Sequence, residues 1–278
     1  MSGGVNAARF RPSAWGVLKA VVAIIYLFML FPVFFTGLAS ISEGTRAAFP
    51  PVGFTLAWWR EALEPGWTDP ILFSLRISAE ASLIALVLGT VLAIALTRYT
   101  FPGRNVLVML TLGPLILPTL VLSVGLLQMF AMLGLSDYVG YGGQLTGYVV
   151  ISLPFCVRMV AIGISNIPRN VERAASVLGA SPWMVQRKIV LPLLKNGLLA
   201  GFMFAFIQSF TDSSVSLFLA RPGDMPVTIR ILGFLDTGFS PTIAAVSMIT
   251  LILPMVMFAI IDRFGQFGDF IHGDKRHA

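Results

Sequence analysis

The chain has 278 residues, of which 56% are hydrophobic and only 12% charged, with mean hydropathy +0.86. Soluble domains carry about a quarter charged residues, so this composition excludes an ordinary soluble enzyme and points to an integral membrane protein. The net charge of +6 and pI near 9.9 follow from where Lys and Arg flank apolar segments, not from nucleic-acid binding.

The single cysteine, Cys156, excludes an internal disulfide and a thiolate metal cluster, and it sits in an apolar run that suits a buried, inert thiol. His272 and His277 both lie near the C-terminus, which removes histidine-based catalysis and metal binding from the apolar core.

A bilayer core about 30 Å thick needs about 20 mostly apolar residues per helix. Six segments qualify: 17–40, 71–97, 105–133, 145–166, 196–220 and 241–262, with tails at 1–16 and 263–278. The fold class expected is therefore all-α integral membrane, with six transmembrane helices. The first segment is too long for a signal-peptide core and no small-residue cleavage site with a soluble domain follows, so it reads as a permanent span.

Between the first two spans, residues 41–70 are longer than a tight turn, and 55–63 is predicted as a short helix accompanied by Phe54, Trp58 and Trp59. Aromatics at headgroup depth account for it; a surface that receives a periplasmic protein is the alternative. In span two, Arg76 and Glu80 stand i, i+4 and are expected to pair near the outer surface. Span three contains Pro114 and Pro118 in the run LGPLILP, which predicts a bend. Glycine and proline also interrupt the spans at Gly89, Gly113, Gly125, Pro154 and Pro254, breaks that lipid tolerates where neighbouring helices or a water-filled path satisfy the backbone.

Residues 168–192, PRNVERAASVLGASPWMVQRKIVLP, are a polar, basic interlude between spans four and five. Asn170 is a candidate cap for a helix with Glu172 in its first turn and a narrow apolar stripe of Val171, Ala175 and Leu178. Gly179 predicts its stop; Ser181 and Pro182 predict a second start, with a helix running towards Ile189 and ended or kinked by Pro192. The small residues Ala174, Ala175, Gly179 and Ala180 leave a low-relief surface suited to docking a bulky partner.

This stretch resembles the EAA loop of permease subunits of bacterial binding-protein-dependent ABC importers. Ala174, Ala175, Gly179, Ile189, Leu191 and Pro192 fit the pattern of EAA, three residues, Gly, nine residues and I-x-LP. One departure stands out: Arg173 occupies the place of the motif Glu, and the nearby carboxylate is Glu172, one position earlier. The run Phe-Thr-Leu-x-Trp-Trp-x-x-x-Leu at 54–63 is similar to the corresponding loop of the same permeases. The resemblance covers about 54–262 and implies a type I importer permease fold in which 168–192 couples to a separate ATPase. The residues it assigns to coupling are Glu172, Arg173, Ala174, Ala175, Gly179, Ala180, Ile189 and Pro192.

Span five is too polar in its second half to face lipid: Gln208, Thr211, Asp212, Ser213, Ser214 and Ser216 cluster there. Charges inside the membrane need partners or a functional reason, which singles out Glu80, Arg158 and Asp212. The substrate-path candidates are Asp212, Gln208, Ser213, Ser216, Arg158 and Glu80. Two readings stay open for Asp212: it faces the path and pairs with an amine-bearing solute, or it forms an interhelical bridge, with Arg158 as partner, amid hydroxyls that serve as helix glue. The run Ser209-Phe210-Thr211-Asp212 also resembles span five of polyamine-type permeases, where two adjacent acids stand; one is missing here.

Thirteen basic residues gather on one side: Arg9, Arg11, Lys19, Arg98, Arg104, Arg169, Arg173, Arg187, Lys188, Lys195, Arg263, Lys275 and Arg276. The other side has Arg46, Arg60, Arg221 and Arg230, with Arg76 at a span end, and the acids Glu43, Glu61, Glu64, Asp69, Asp137, Asp224 and Asp236. The positive-inside rule then puts both termini and 168–192 in the cytoplasm of a multi-pass inner-membrane protein.

There is no GxxxxGK[ST] and no nucleophile–base pair, so no enzymatic site is expected and no cofactor in this chain. ATP and Mg would be bound by the partner ATPase. The partners that the resemblance implies are a second permease subunit, by preference a paralogue, two ATP-binding subunits and a periplasmic solute-binding protein, with membrane lipid around them and no nucleic acid. It points to a polyamine or other small amino compound as solute. An autonomous ion-coupled secondary transporter is the alternative, against which no convincing internal repeat is found.

Overall fold

In the computed structural model the described residues are 12–44, 51, 53–235 and 240–265. Arg9, Arg11, Arg46, Asp236, His272, Lys275, Arg276 and His277 lie outside them, as do most of both predicted tails. Two units are distinguished.

The first unit holds the described residues up to Leu63 and those of 240–249. Helix α1 (Pro12–Ile41) exposes apolar side chains along most of its length, including Phe28 and Leu27, as expected of a helix that meets lipid. At its end the chain turns back through an antiparallel bridge between Ser42 and Phe54. Helix α2 (Ala57–Ala62) is the predicted short helix, trimmed at both ends. Thr55 Oγ1 accepts a hydrogen bond from Ala57 N at 3.1 Å, and Trp58 Nε1 donates to the Ser42 carbonyl at 2.9 Å, so this aromatic is pinned to the chain rather than free at the surface. Glu61 accepts from Thr242 Oγ1 at 2.8 Å.

The second unit is built on α3 (Pro65–Arg98), α6 (Tyr141–Ser165) and α10 (Lys195–Thr211). Helix α3 starts six residues before the predicted span because Pro65 sits at its first position after an extended Glu64 (φ −74°, ψ 156°). Lipid offers no hydrophobic reward for helix association, so close packing and interhelical hydrogen bonds must hold these three together. A Cβ at Gly89 would stand 2.6 Å from Cys156 Cβ, and one at Gly163 would stand 3.4 Å from Gly197 Cα. Cys156 is buried and free, as its apolar run suggested. Ser152 donates or accepts at 2.7 Å with Ser209 across the α6–α10 contact.

Span three is not one bent helix. Helices α4 (Arg104–Ile116) and α5 (Thr119–Met132) meet at 111°. Pro118 forces the preceding Leu117 out of the helical region (φ −80°, ψ 138°) and sets the break, while Pro114 lies inside α4 without ending it.

Span five, expected as continuous over 196–220, is also broken: α10 ends at Thr211, Asp212 is extended (φ −72°, ψ 132°), and α11 (Ser214–Leu219) follows. Among the described residues, four helices are long and apolar enough to cross a membrane, or up to six if two bent pairs each count as one span, α4 with α5 and Pro182–Leu193 with α10. Helix α12 (Val227–Leu235) packs on α3, with Phe234 4.8 Å from Trp67 and the Arg230 guanidinium over both rings.

Candidate functional site

Two features carry the functional argument. The first is the interlude at 168–192. Helix α7 (Arg169–Val177) starts with Pro168 in the capping position, so the predicted cap Asn170 is a correction: it stands inside the first turn, and proline's fixed φ makes the start without a side-chain cap. The stop is as predicted. Gly179 takes φ +89°, Ala180 N bonds to the Ala175 carbonyl and Gly179 N to that of Ser176, both at 3.0 Å, which is a Schellman ending. Ser181 Oγ then accepts from Met184 N at 3.3 Å and Pro182 opens α8 (Pro182–Val185).

Beyond it the chain widens into a π turn over Gln186–Val190 and tightens again in α9 (Leu191–Leu193). Pro192 does not end the helix. The axis bends by 69° one step later, between Leu193 and Lys195. The π turn stands just ahead of the proline, whose missing N–H removes a ladder donor there.

No residue of α7 is buried. Val177, Leu178 and Trp183 are 87%, 88% and 71% exposed, and Arg173, Arg187 and Lys188 are exposed beside them. This is an apolar ridge with a basic rim. On the opposite side Val185, Val190 and Leu194 are buried in one cluster with Ala93, Leu96, Val160, Ile164 and Ile167. Ala175 and Ala180 pack against that cluster, Ile189 is half-buried, and Ala174, Gly179 and Pro192 are exposed.

Glu172 and Arg173 face different ways. The Glu172 carboxylate, 17% exposed, lies 2.5 Å from Nη2 of Arg98, whereas Arg173 faces out. One residue along a helix turns about 100°, so an acid at 172 rather than 173 meets Arg98 in the body instead of standing at the exposed position of Arg173. Arg98 also donates to the carbonyls of Ile164 (3.2 Å) and Ile167 (3.0 Å). Arg104 bonds the Leu96 carbonyl through Nε (2.9 Å) and Nη2 (2.7 Å), and Arg169 reaches that of Thr97 at 3.3 Å. Three of the basic residues counted for topology thus cap the C-terminal carbonyls of α3 and α6, where a positive charge is favoured.

The second feature is the junction of the two broken spans. Thr119, the first residue of α5, donates to Ser214 Oγ, the first of α11, at 3.2 Å. Asp212 Oδ1 accepts from Val215 N at 2.8 Å and so caps α11. Asp212, Gln208 and Ser213 are half-buried around the break. Ser216 is buried, with its hydroxyl 2.6 Å from both Tyr148 Oη and Gln144 Oε1, and Gln144 donates on to the Asp224 carbonyl at 2.8 Å. Its hydroxyl joins helices rather than lining a surface.

Arg158 does not pair with Asp212. Tyr148 Oη reaches the Asp212 carbonyl at 3.4 Å, and Arg158 lies ten residues further along α6, about 15 Å away along the axis. Glu80 is not at the junction either. It pairs with Arg76 at 2.9 Å, as the i, i+4 spacing predicted, and accepts from Tyr141 Oη. Missed from sequence were Arg98, which carries no signal there beyond its charge, and Gln144 and Tyr148 of α6, one turn apart, which Ser216 meets from another span.

A family model described as "Binding-protein-dependent transport system inner membrane component" matches residues 85–266. The spermidine/putrescine transport system permease protein PotC of Escherichia coli K12 is 28% identical over 246 residues, which cover 87% of this chain and 89% of that protein. A putative 2-aminoethylphosphonate transport system permease protein, PhnV of Salmonella typhimurium LT2, is 30% identical over 258 residues, 91% of this chain and 96% of that protein. Among solved structures, a bacterial ABC transporter involved in import of the acidic polysaccharide alginate superposes with TM-score 0.69 at 14% identity, covering 90% of this chain and 95% of that one. The MetNI methionine ABC transporter gives TM-score 0.62 at 19% identity, covering 72% and 94%.

Proposed function

Because the chain belongs to the family of binding-protein-dependent transport system inner membrane components, the permease subunits of ABC importers, we propose that it forms the solute path together with a second permease subunit. It takes its energy from separate ATPase subunits that dock on 168–192, and it receives solute from a periplasmic binding protein. Both termini and the 168–192 loop are cytoplasmic in this reading, as the distribution of Lys and Arg supports.

The observation that carries the proposal is the exposure of Val177 and Leu178 at the end of α7 and of Trp183 in α8. Large apolar side chains rimmed by cations, on a segment too basic to enter lipid, are what a partner's groove takes up. Movement of α7 and α8 would then re-aim the spans by rigid-body motion about their breaks.

The solute we infer is a small amine-bearing compound. Asp212 supports this reading: it is a carboxylate at the break between α10 and α11, set among Gln208, Ser213 and Thr119. The names of the two relatives above contain different solutes, and each of those solutes bears a primary amine. A charge held at such a break favours a cation in a site of low dielectric.

The test is reconstitution in proteoliposomes of the chain with its partner permease, the ATPase and the binding protein. Uptake of spermidine, putrescine or 2-aminoethylphosphonate that requires ATP and all components is the expected outcome. Import by this chain alone, driven by an ion gradient, overturns it.

A further inference from the structure

Helix α7 is held to the rest of its unit in an unusual way. It buries no residue of its own, its start is tied by Arg169 to the Thr97 carbonyl, and its first turn is held by the ion pair of Glu172 with Arg98. Arg98 is the last residue of α3, and its guanidinium at the same time bonds the carbonyls of Ile164 and Ile167, at and just beyond the C-terminal end of α6. One side chain, 10% exposed, therefore meets three elements: the end of α3, the end of α6 and the first turn of α7.

The covalent chain links α7 to α6 and, through α8 and α9, to α10, but it offers no short route from α7 to α3. Helix α3 is the long central helix of the unit, and it packs through Gly89 and Ala85 on α6 and α10. A push on α7 reaches it through Arg98, the neighbouring Arg169 contact and the small methyl of Ala175, which packs on the cluster holding Ala93 and Leu96 of α3. Of these contacts the polar one can be loosened and remade with little disturbance of the apolar core, because its partners are a charge and two carbonyls, and the only methyl group of α7 on that core is that of Ala175.

We propose that the Arg98–Glu172 pair is the joint that passes movement of α7 to α3 and α6, which makes Arg98 a positioning residue for energy coupling. The proposal rests on 168–192 being the docking site of the ATPase. It also gives the acid at 172 a role directed into the permease, while the exposed Arg173 is left to meet the partner.

The experiment uses the full transporter in proteoliposomes and reads three quantities: recovery of the assembled complex, ATP hydrolysis, and solute taken up per ATP. Glu172→Gln keeps the shape of the side chain and leaves Arg98 on its two carbonyls. It is expected to assemble normally and to lose at least fivefold in solute taken up per ATP, whereas Glu172→Asp keeps more than half. Arg98→Met combined with Glu172→Met removes both charges together, so no unpaired charge is left near the core. That double variant is expected to assemble and hydrolyse ATP but to remain uncoupled. Recovery of uptake per ATP in the double variant overturns the proposal, because it would make the pair a matter of stability alone. So does an unchanged ratio in Glu172→Gln. Failure of the unaltered chain to recruit any ATPase strikes instead at the docking reading itself.

Discussion

The α3–α6–α10 packing and the α7–α8 segment are built on opposite plans within one unit. In the first, glycines bring backbones to contact distance: a Cβ at Gly89 would stand 3.2 Å from Val157 N and one at Gly163 would stand 3.4 Å from Gly197 Cα, and Ser152 and Ser209 bond across the interface. In the second, no residue of α7 is buried and Val177, Leu178 and Trp183 stand in the open. The difference teaches where rigidity is needed. In the reading proposed above, α7–α8 is a lever that must be easy to grip and light to move, while the body it turns must not deform, and close backbone packing with hydroxyl bonds supplies that stiffness where lipid removes the hydrophobic drive.

Gly89→Leu should break the rigid side outright. With Cys156 in the way, overpacking of this kind costs about 1–3 kcal/mol or more, and the expected outcome is loss of monodisperse protein in detergent, read by size-exclusion chromatography. Survival of a folded chain with unchanged thermal stability would mean that the helices are less tightly apposed than described.

Trp183→Ala attacks the other side. It leaves the chain folded, since the side chain is largely exposed, and weakens capture of the ATPase by about 2 kcal/mol, the scale of a buried aromatic anchor at an interface, or roughly thirtyfold in dissociation constant. Equal affinity by titration of the ATPase against reconstituted permease would remove Trp183 from the docking surface.

Asp212→Asn separates charge from capping, because asparagine caps a helix about as well as aspartate. Assembly should persist while uptake of an amine solute falls about tenfold, the effect of losing about 1.4 kcal/mol; unchanged uptake would reduce Asp212 to a cap for α11.

Ser181→Ala is the smallest change. It removes the one side-chain cap of α8 and should lower stability by about 1 kcal/mol, seen as a modest drop in the denaturation midpoint with uptake per ATP intact.

Several features were legible because they are local. The apolar runs long enough to cross a bilayer, the stop at Gly179, the start at Ser181-Pro182 and the Arg76–Glu80 pair are each set by residues within a turn or two of one another. The breaks were half legible. Pro118 announces its own effect on Leu117, but the interruption at Asp212 has no proline or glycine to mark it, and the polarity of 208–216 leaves a lining and a helix interface both open, of which the structure shows the interface for Ser216, bonded to Tyr148 and Gln144. Asn170 has the residue type of a cap, but Pro168, two residues earlier, begins the helix unaided.

What the sequence by itself determined is therefore the helical membrane class, the positions of the apolar segments and the presence of a polar loop of EAA type. Only the tertiary structure decided that Glu172 turns inward to Arg98 while Arg173 turns out, that Thr119 meets Ser214 at the junction of two breaks, and that Ser216 is spent on Tyr148 and Gln144. The physical reason is separation along the chain. These partners lie between 68 and 95 residues apart, beyond the reach of any helical period, and they meet only because α3, α6 and α10 pack closely enough to bring their ends together.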